Sequence, residues 1–300
     1  MATLAAWVPQ RPARRGGAWG TLARLAGHPS AVLGALIVAA VAAGAVFAPV
    51  LAPYAPGASD LENRLAAPSW LAATPGGHWL GTDGLGRDLW SRIIFGSRVS
   101  LLVGLAATLL SLLPGLVLGL AAGFYRGRVD GALSRFAELL MAFPHLIFAI
   151  GVMAALGPGF WNLVAALAFK GWVEFFRVAR GEAMAQSARE YVDAARAVGA
   201  SSARIVGRHI LPNMLHTSLV LGTLRMGHFI VLEASLSFLG LGLPPRLPAW
   251  GTMVAEGREV MLTAWWVSTF PGLAIVALVL AVNLVGEGLR DVLDPRLRAE

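Results

Sequence analysis

The sequence predicts an all-α, polytopic integral membrane protein with six transmembrane helices. Three observations lead there. Of the 300 residues, 57% are hydrophobic and only 14% charged, whereas a soluble domain is nearer a quarter charged. Six stretches reach the roughly 20 mostly apolar residues that cross a bilayer: Ala31–Leu51, Val99–Gly123, Leu133–Leu156, Phe160–Val178, Leu215–Leu239 and Ala264–Gly286. The basic residues between these stretches alternate in density, as they do between loops on opposite membrane faces.

The first run follows "RPARRGGAWGTLARLAGHPS". That basic start has the look of a secretory signal. The apolar run is longer than the 7–15 residues of a signal core and more spans follow, so a retained helix is expected. Residues 1–28 then form an N-terminal tail. Residues 29–95 hold the first helix and a long outer segment rich in Pro and Gly, and residues 96–288 hold the other five helices. A second tail covers 289–300.

In the first outer segment, "GTDGLGRD" (Gly81–Asp88) has the glycines of a phosphate loop. It lacks the third glycine of that motif and follows no clear strand, so a rigid turn touching a partner or another subunit is expected. Asp83, Arg87 and Asp88 make a local ion-pair network there. The last outer segment, Gly242–Thr263, contains "PPRLPAWGTM" and reads as an ordered loop.

Pro114 and Pro144 interrupt the hydrogen-bond ladder of the second and third runs and predict kinks. Pro144 is the candidate hinge of a gate. Ionisable residues within the runs or at their ends include Glu138, Lys170, Glu174, Arg225, Glu233 and Glu287. Such groups are expensive in hydrocarbon and face a bundle interior or a wet cavity. Lys170 and Glu174 are four apart and can pair on one helix face; Arg225 and Glu233 can pair with neighbours. Pairing is the structural reading and a proton relay the functional one. Glu233 is carried forward as a gate or structural residue.

Counting Arg and Lys settles the orientation. The N-terminal tail, the turn at 126–128, the loop around 177–208 and the C-terminal tail carry 15 positive residues, and the three opposite segments carry five. Both termini are therefore expected in the cytoplasm. The net charge of +7 serves this orientation and calls for no nucleic acid. With no cysteine, disulfides and thiolate metal sites are excluded.

The chain carries no G-x-x-x-x-G-K-[ST], and its single lysine is Lys170 in "LAFKGWVE". Any ATP hydrolysis must come from another polypeptide. His209 and His216 are joined by no carboxylate pattern, and no H-E-x-x-H or G-x-S-x-G occurs. No enzyme, metal or bound cofactor is expected of this chain.

"YVDAARAVGASSARIVGRHILPN" (Tyr191–Asn213) interrupts the apolar pattern on the cytoplasmic side. Tyr191, Ala194, Ala195 and Val198 fall on one helical face. Gly199 suits a left-handed helix end, and Ser201 or Ser202 suits a second helix start. Pro212 disfavours helix at Leu211 and predicts a bend before span five. A face of Ala and Gly lets another backbone approach closely, which fits a helix lying in a partner's groove. An amphipathic helix lying on the lipid surface fits the same periodicity.

The loop resembles the EAA loop of ABC-importer permeases: Asp193, Ala194, Ala195, Gly199, Leu211 and Pro212 match, with Asp193 where Glu is usual. "LGTDGLGRDLWSRIIFGSRVSL", "EASLSFLGLGLPP", "PAWGTM", "AWWVSTFPGLAI" and "GEGLRDVLDPRL" are similar to dipeptide and oligopeptide permeases of the DppC/OppC type. The match runs from about His28 to the end. The resemblance implies a type I importer permease fold in a bacterial or archaeal cell membrane, with a coupling loop over 180–212. It implies half of a path for di- or oligopeptides, although nickel and glutathione permeases share these motifs. It also implies partners: a sister permease, two ATP-binding subunits that use ATP and Mg, and an extracytoplasmic substrate-binding protein. Tyr191, Asp193, Ala194, Ala195, Gly199, Leu211 and Pro212 would then carry the coupling. The rival is an ion-gradient-driven transporter using Glu138, Lys170, Glu174 or Glu233; against it, the two halves show no inverted repeat.

Overall fold

The computed structural model describes residues 24–71, 77–244 and 246–293, so most of both tails lies outside the described residues. Among the described residues every regular element is helical, apart from one isolated bridge between Thr82 and Asp88. The helices of eight residues or more are α1 (Pro29–Val46), α2 (Leu89–Tyr125), α3 (Gly127–Met141), α4 (His145–Leu156), α5 (Phe160–Ser187), α6 (Glu190–Ala197), α7 (Ser202–Phe238), α8 (Trp250–Arg258) and α9 (Trp266–Leu293).

Four expected spans, α1, α2, α7 and α9, are helices long and apolar enough to cross a bilayer. At about 1.5 Å per residue, the 37 residues of α2 rise about 55 Å. The helix extends well beyond the predicted run and continues unbroken through Pro114. The third expected span differs. It is two helices, α3 and α4, meeting at 84°. Pro144 has no N–H to continue the ladder and disfavours helix at Phe143, so the chain breaks there. Lys170 Nζ donates to the Phe143 carbonyl at the break, and a ring nitrogen of the adjacent His145 lies 3.1 Å from the Leu167 carbonyl oxygen of α5. The fourth expected span, α5, has the length to cross. Its charges at Lys170, Glu174, Arg177, Arg180 and Glu182 dilute its apolar character.

The centre of the bundle is the α2–α5 contact. Gly115, Gly119 and Gly123 form a stripe four residues apart that lies on the backbone of α5. A Cβ on Gly119 would sit 2.5 Å from the Phe176 carbonyl oxygen and 2.7 Å from the Ala179 Cβ. Small residues at this spacing let two helices approach closely in a bilayer, where van der Waals packing replaces the hydrophobic effect as the driving force. Leu36, Leu273, Val276 and Leu280 are left exposed, as bilayer contact requires.

The Gly81–Asp88 segment is the rigid turn expected, with Gly81 and Gly86 at positive φ. Gly86 meets the Asp60 backbone directly, leaving no room for a side chain. The ion-pair network is larger than predicted and arranged differently. Asp83 pairs with Arg87 at 2.7 Å and with buried Arg92, and both arginines reach Glu256 of α8, Arg92 at 2.7 Å and Arg87 at 3.0 Å. Asp88 stands apart from it: one oxygen caps α2 through the Ser91 N–H at 2.7 Å and the other faces His78 at 3.0 Å. Nearby, an Asn63 amide hydrogen bond holds the Asp60 carboxyl below its usual range. The last outer segment is more ordered than a loop, since it contains α8.

Removing Arg92 strands a fully buried Asp83 with one remaining cation. Arg92→Met is expected to cost about 2–3 kcal/mol, somewhat less than the 3–5 typical of breaking a buried pair because Arg87 stays. Thermal unfolding in detergent checks this, and Asp83→Asn combined with Arg92→Met should recover part of the loss.

Glu233 is fully buried in α7. It accepts hydrogen bonds from Ser237 Oγ at 2.8 Å and from Ser100 Oγ of α2 at 3.3 Å. It therefore ties α7 to α2. Arg225 pairs with a neighbouring helix as expected, whereas the expected Lys170–Glu174 pair does not form. Glu174 pairs with Arg225 across α5 and α7, while Lys170 turns to the Phe143 carbonyl.

Candidate functional site: the helical loop between α5 and α7

Residues 188–213 lie at the end of the bundle far from the Gly81–Asp88 turn. The sequence makes a short helix here for local reasons. Glu190 and Asp193 sit in the first turn of α6 and Arg196 in the last, the signs that favour a helix dipole. Termination is by a Schellman motif: the Ala200 N–H donates to the Ala195 carbonyl and the Gly199 N–H to the Arg196 carbonyl, both at 3.0 Å. Gly199 takes φ +79°, which an L side chain adopts only with strain.

The second half departs from prediction in two ways. Ser201 stands at the start of α7, but its side chain makes no capping bond. The helix also does not stop at Leu211. It continues past Pro212 because residues Val206–Ile210 form a π-helical turn. Its wider ladder makes room for the proline ring and its missing N–H, which an α-helical turn would clash with.

The predicted residues divide by environment. Val192, fully buried, anchors α6 to a core of Leu116 and Leu120 from α2, Ala179 and Ala183 from α5, and Ile205, Ile210 and Met214 from α7. Ala195 and Leu211 are half-buried against the same core. Arg196 lies over the Phe124 ring at 5.9 Å and pairs with Asp193 at 3.0 Å. The Tyr191 hydroxyl donates to Gln186 Oε1 at 2.7 Å and receives a longer contact from Asn213 at 3.5 Å. Those contacts turn Tyr191 back to the bundle, whereas Asp193, Ala194, Gly199 and Val198 face away from it, the last 85% exposed. Pro212 is exposed on the following helix. Pro144 and Glu233 belong elsewhere, at the α3–α4 break and in the α2–α7 contact.

Sequence reasoning missed the anchor. Val192 fell outside the predicted face, and the distant residues beneath it carry no local signal. What the arrangement provides is a helix packed along one side, through Val192, against α2, α5 and α7, with small and apolar groups exposed on the other.

Residues 115–299 match the family of binding-protein-dependent transport system inner membrane components. Residues 18–68 match the N-terminal transmembrane domain of oligopeptide transport permease C. The chain is 44% identical over 280 residues to a putative peptide transport system permease protein of Brucella abortus, covering 93% of this chain and 92% of that one. It is 44% identical over 254 residues to the di/tripeptide transport system permease protein of Pseudomonas aeruginosa, covering 85% and 84%. It is 42% identical over 269 residues to the glutathione transport system permease protein of Pectobacterium atrosepticum, covering 90% and 88%.

Proposed function

Because the chain belongs to the family of binding-protein-dependent transport system inner membrane components, we propose that it is the permease subunit of a peptide importer driven through α6. It forms half of the path for di- or oligopeptides. A sister permease supplies the other half, two ATP-binding subunits sit against the α6 end, and a substrate-binding protein delivers cargo to the Gly81–Asp88 end. Both termini then face the cytoplasm, and this chain hydrolyses no ATP itself; ATP and Mg are used by the partner subunits.

The observation that carries the reading is the two-sidedness of α6. Its inner side is locked by Val192 and its outer side leaves Ala194, Val198 and Gly199 free. Small side chains there admit a partner backbone closely, as helix-in-groove docking requires. When ATP closes the partner dimer, α6 moves with it. Its shared core with α2, α5 and α7 carries the movement into the membrane, and the path changes from inward-facing to outward-facing. Hydrolysis resets it.

The test is gentle purification of the tagged chain from its native membrane, with mass spectrometry of what accompanies it and ATP-dependent uptake of a labelled dipeptide by vesicles. Recovery of a second permease and P-loop subunits, with uptake that needs ATP, is expected. Recovery of the chain alone, moving solute on an ion gradient, would overturn the proposal in favour of the secondary transporter.

A further inference from the structure

Lys170 and Glu174 have the spacing of a pair on α5 but do not pair with each other. Lys170, Glu174 and Arg177 fall at i, i+4 and i+7, on one face of α5. Arg225 of α7 crosses to pair with Glu174. Arg177 has no carboxylate partner among the described residues: its guanidinium meets only Met141 Sδ, at 3.4 Å. Glu174, Arg177, Val178 and Arg225 line a cavity of about 340 Å³. Arg177 also lines an adjoining cavity of about 450 Å³ with Glu138 and Arg180. Arg180 is neutralised by Asp130. Among the residues lining the two cavities Arg177 and Arg225 stand against Glu174 and Glu138, and Lys170, one turn along the same face of α5, adds one positive charge.

Arg177 stands at the inner end of the fourth expected span, and a cation there faces water, a wet cavity or a counter-charge, since hydrocarbon excludes it. Lipid contact is therefore the wrong environment for this face. We propose that it is the wall of a water-filled, cationic passage, and that it receives the carboxylate of the solute in transit. The net charge raises the local concentration of anionic groups, and the forked, permanently charged Arg177 guanidinium matches a carboxylate. Its partner site stays free because a solute must also leave. The proposal rests on the permease reading and deepens it by giving the path a charge and the cargo a chemical class.

The chain has no cysteine, so a single introduced thiol reports on this face alone. Val178→Cys is made in membranes carrying the full transporter, and labelling of this chain is followed by mass. The reagents are an anionic sulfonatoethyl and a cationic trimethylammonium methanethiosulfonate, with rates normalised to a free thiol in water. The anionic reagent should be favoured about tenfold, and Arg177→Gln should remove most of that preference. Arg177→Gln should also slow uptake of Ala-Glu about fivefold relative to Ala-Lys, both delivered at saturating binding protein. Gly181→Cys, one turn along where an added Cβ meets nothing within 4 Å, replaces Val178→Cys should that variant fail to assemble.

An unreactive thiol in membranes that still import peptide would overturn the passage, meaning that this face is packed against another subunit. A reactive thiol without anion preference, or uptake of both dipeptides unchanged in Arg177→Gln, would overturn its cationic role. Absence of ATP-dependent uptake by the unmodified transporter would count against the permease reading instead.

Discussion

Replacing Ala194 with Trp should leave the chain folded and inserted while lowering solute-stimulated ATP hydrolysis of the assembled transporter at least tenfold. Ala194 is exposed on α6 and Trp is tolerated in a helix, so the chain itself loses nothing. The loss falls on the partner: the bulk of the indole holds away a backbone that must approach within van der Waals contact, and misplaced contacts of this kind are costly because packed interfaces do not deform continuously. The same substitution at Gly199 is a poorer probe, since φ +79° there would strain the loop whatever docks on it. Basal hydrolysis by the ATP-binding subunits should persist. Normal stimulation in Ala194→Trp membranes would mean that α6 lies on lipid.

Gly119→Leu should prevent stable assembly of the bundle. Its Cβ would fall 2.5 Å from a backbone carbonyl oxygen of α5, which no rotamer relieves. The helices must separate, and Gly115 and Gly123 on either side then lose their contacts too. Overpacking usually costs 1–3 kcal/mol; three contacts on one rigid interface place this case at or above about 3 kcal/mol. The readout is the yield and thermal midpoint of detergent-solubilised chain. Gly181→Ala, on the open side of α5 where an added Cβ meets nothing, should be neutral. Equal midpoints for Gly119→Leu and the unmodified chain would contradict the close α2–α5 contact.

How far the sequence could be read depended on whether a feature was written locally. Apolar runs gave α1, α2, α7 and α9, because hydropathy over about 20 residues is a local property. Gly199 gave the end of α6, because only a left-handed residue closes that helix. Pro144 broke its helix as expected; Pro212 did not, because the π-helical turn before it absorbs the ring. Nothing in "VGRHILPN" announces that turn. The partners of charges were the least legible. Lys170 and Glu174 have the spacing of a pair, yet the α3–α4 break offers Lys170 an unsatisfied carbonyl, and α7 brings Arg225 to Glu174. Glu256 and Asp83 are 173 residues apart and share arginines only once α8 folds over the Gly81–Asp88 turn. Val192 was passed over because its core comes from three other helices.

If the outer face of α6 contacts a protein and not a membrane, a thiol at the exposed Val198 reports it. In membranes carrying Val198→Cys and its partner subunits, a short thiol-reactive photo-cross-linker should capture a P-loop ATP-binding subunit, with a yield that changes when ATP is added. Cross-linking to lipid alone, unchanged by nucleotide, would contradict the account.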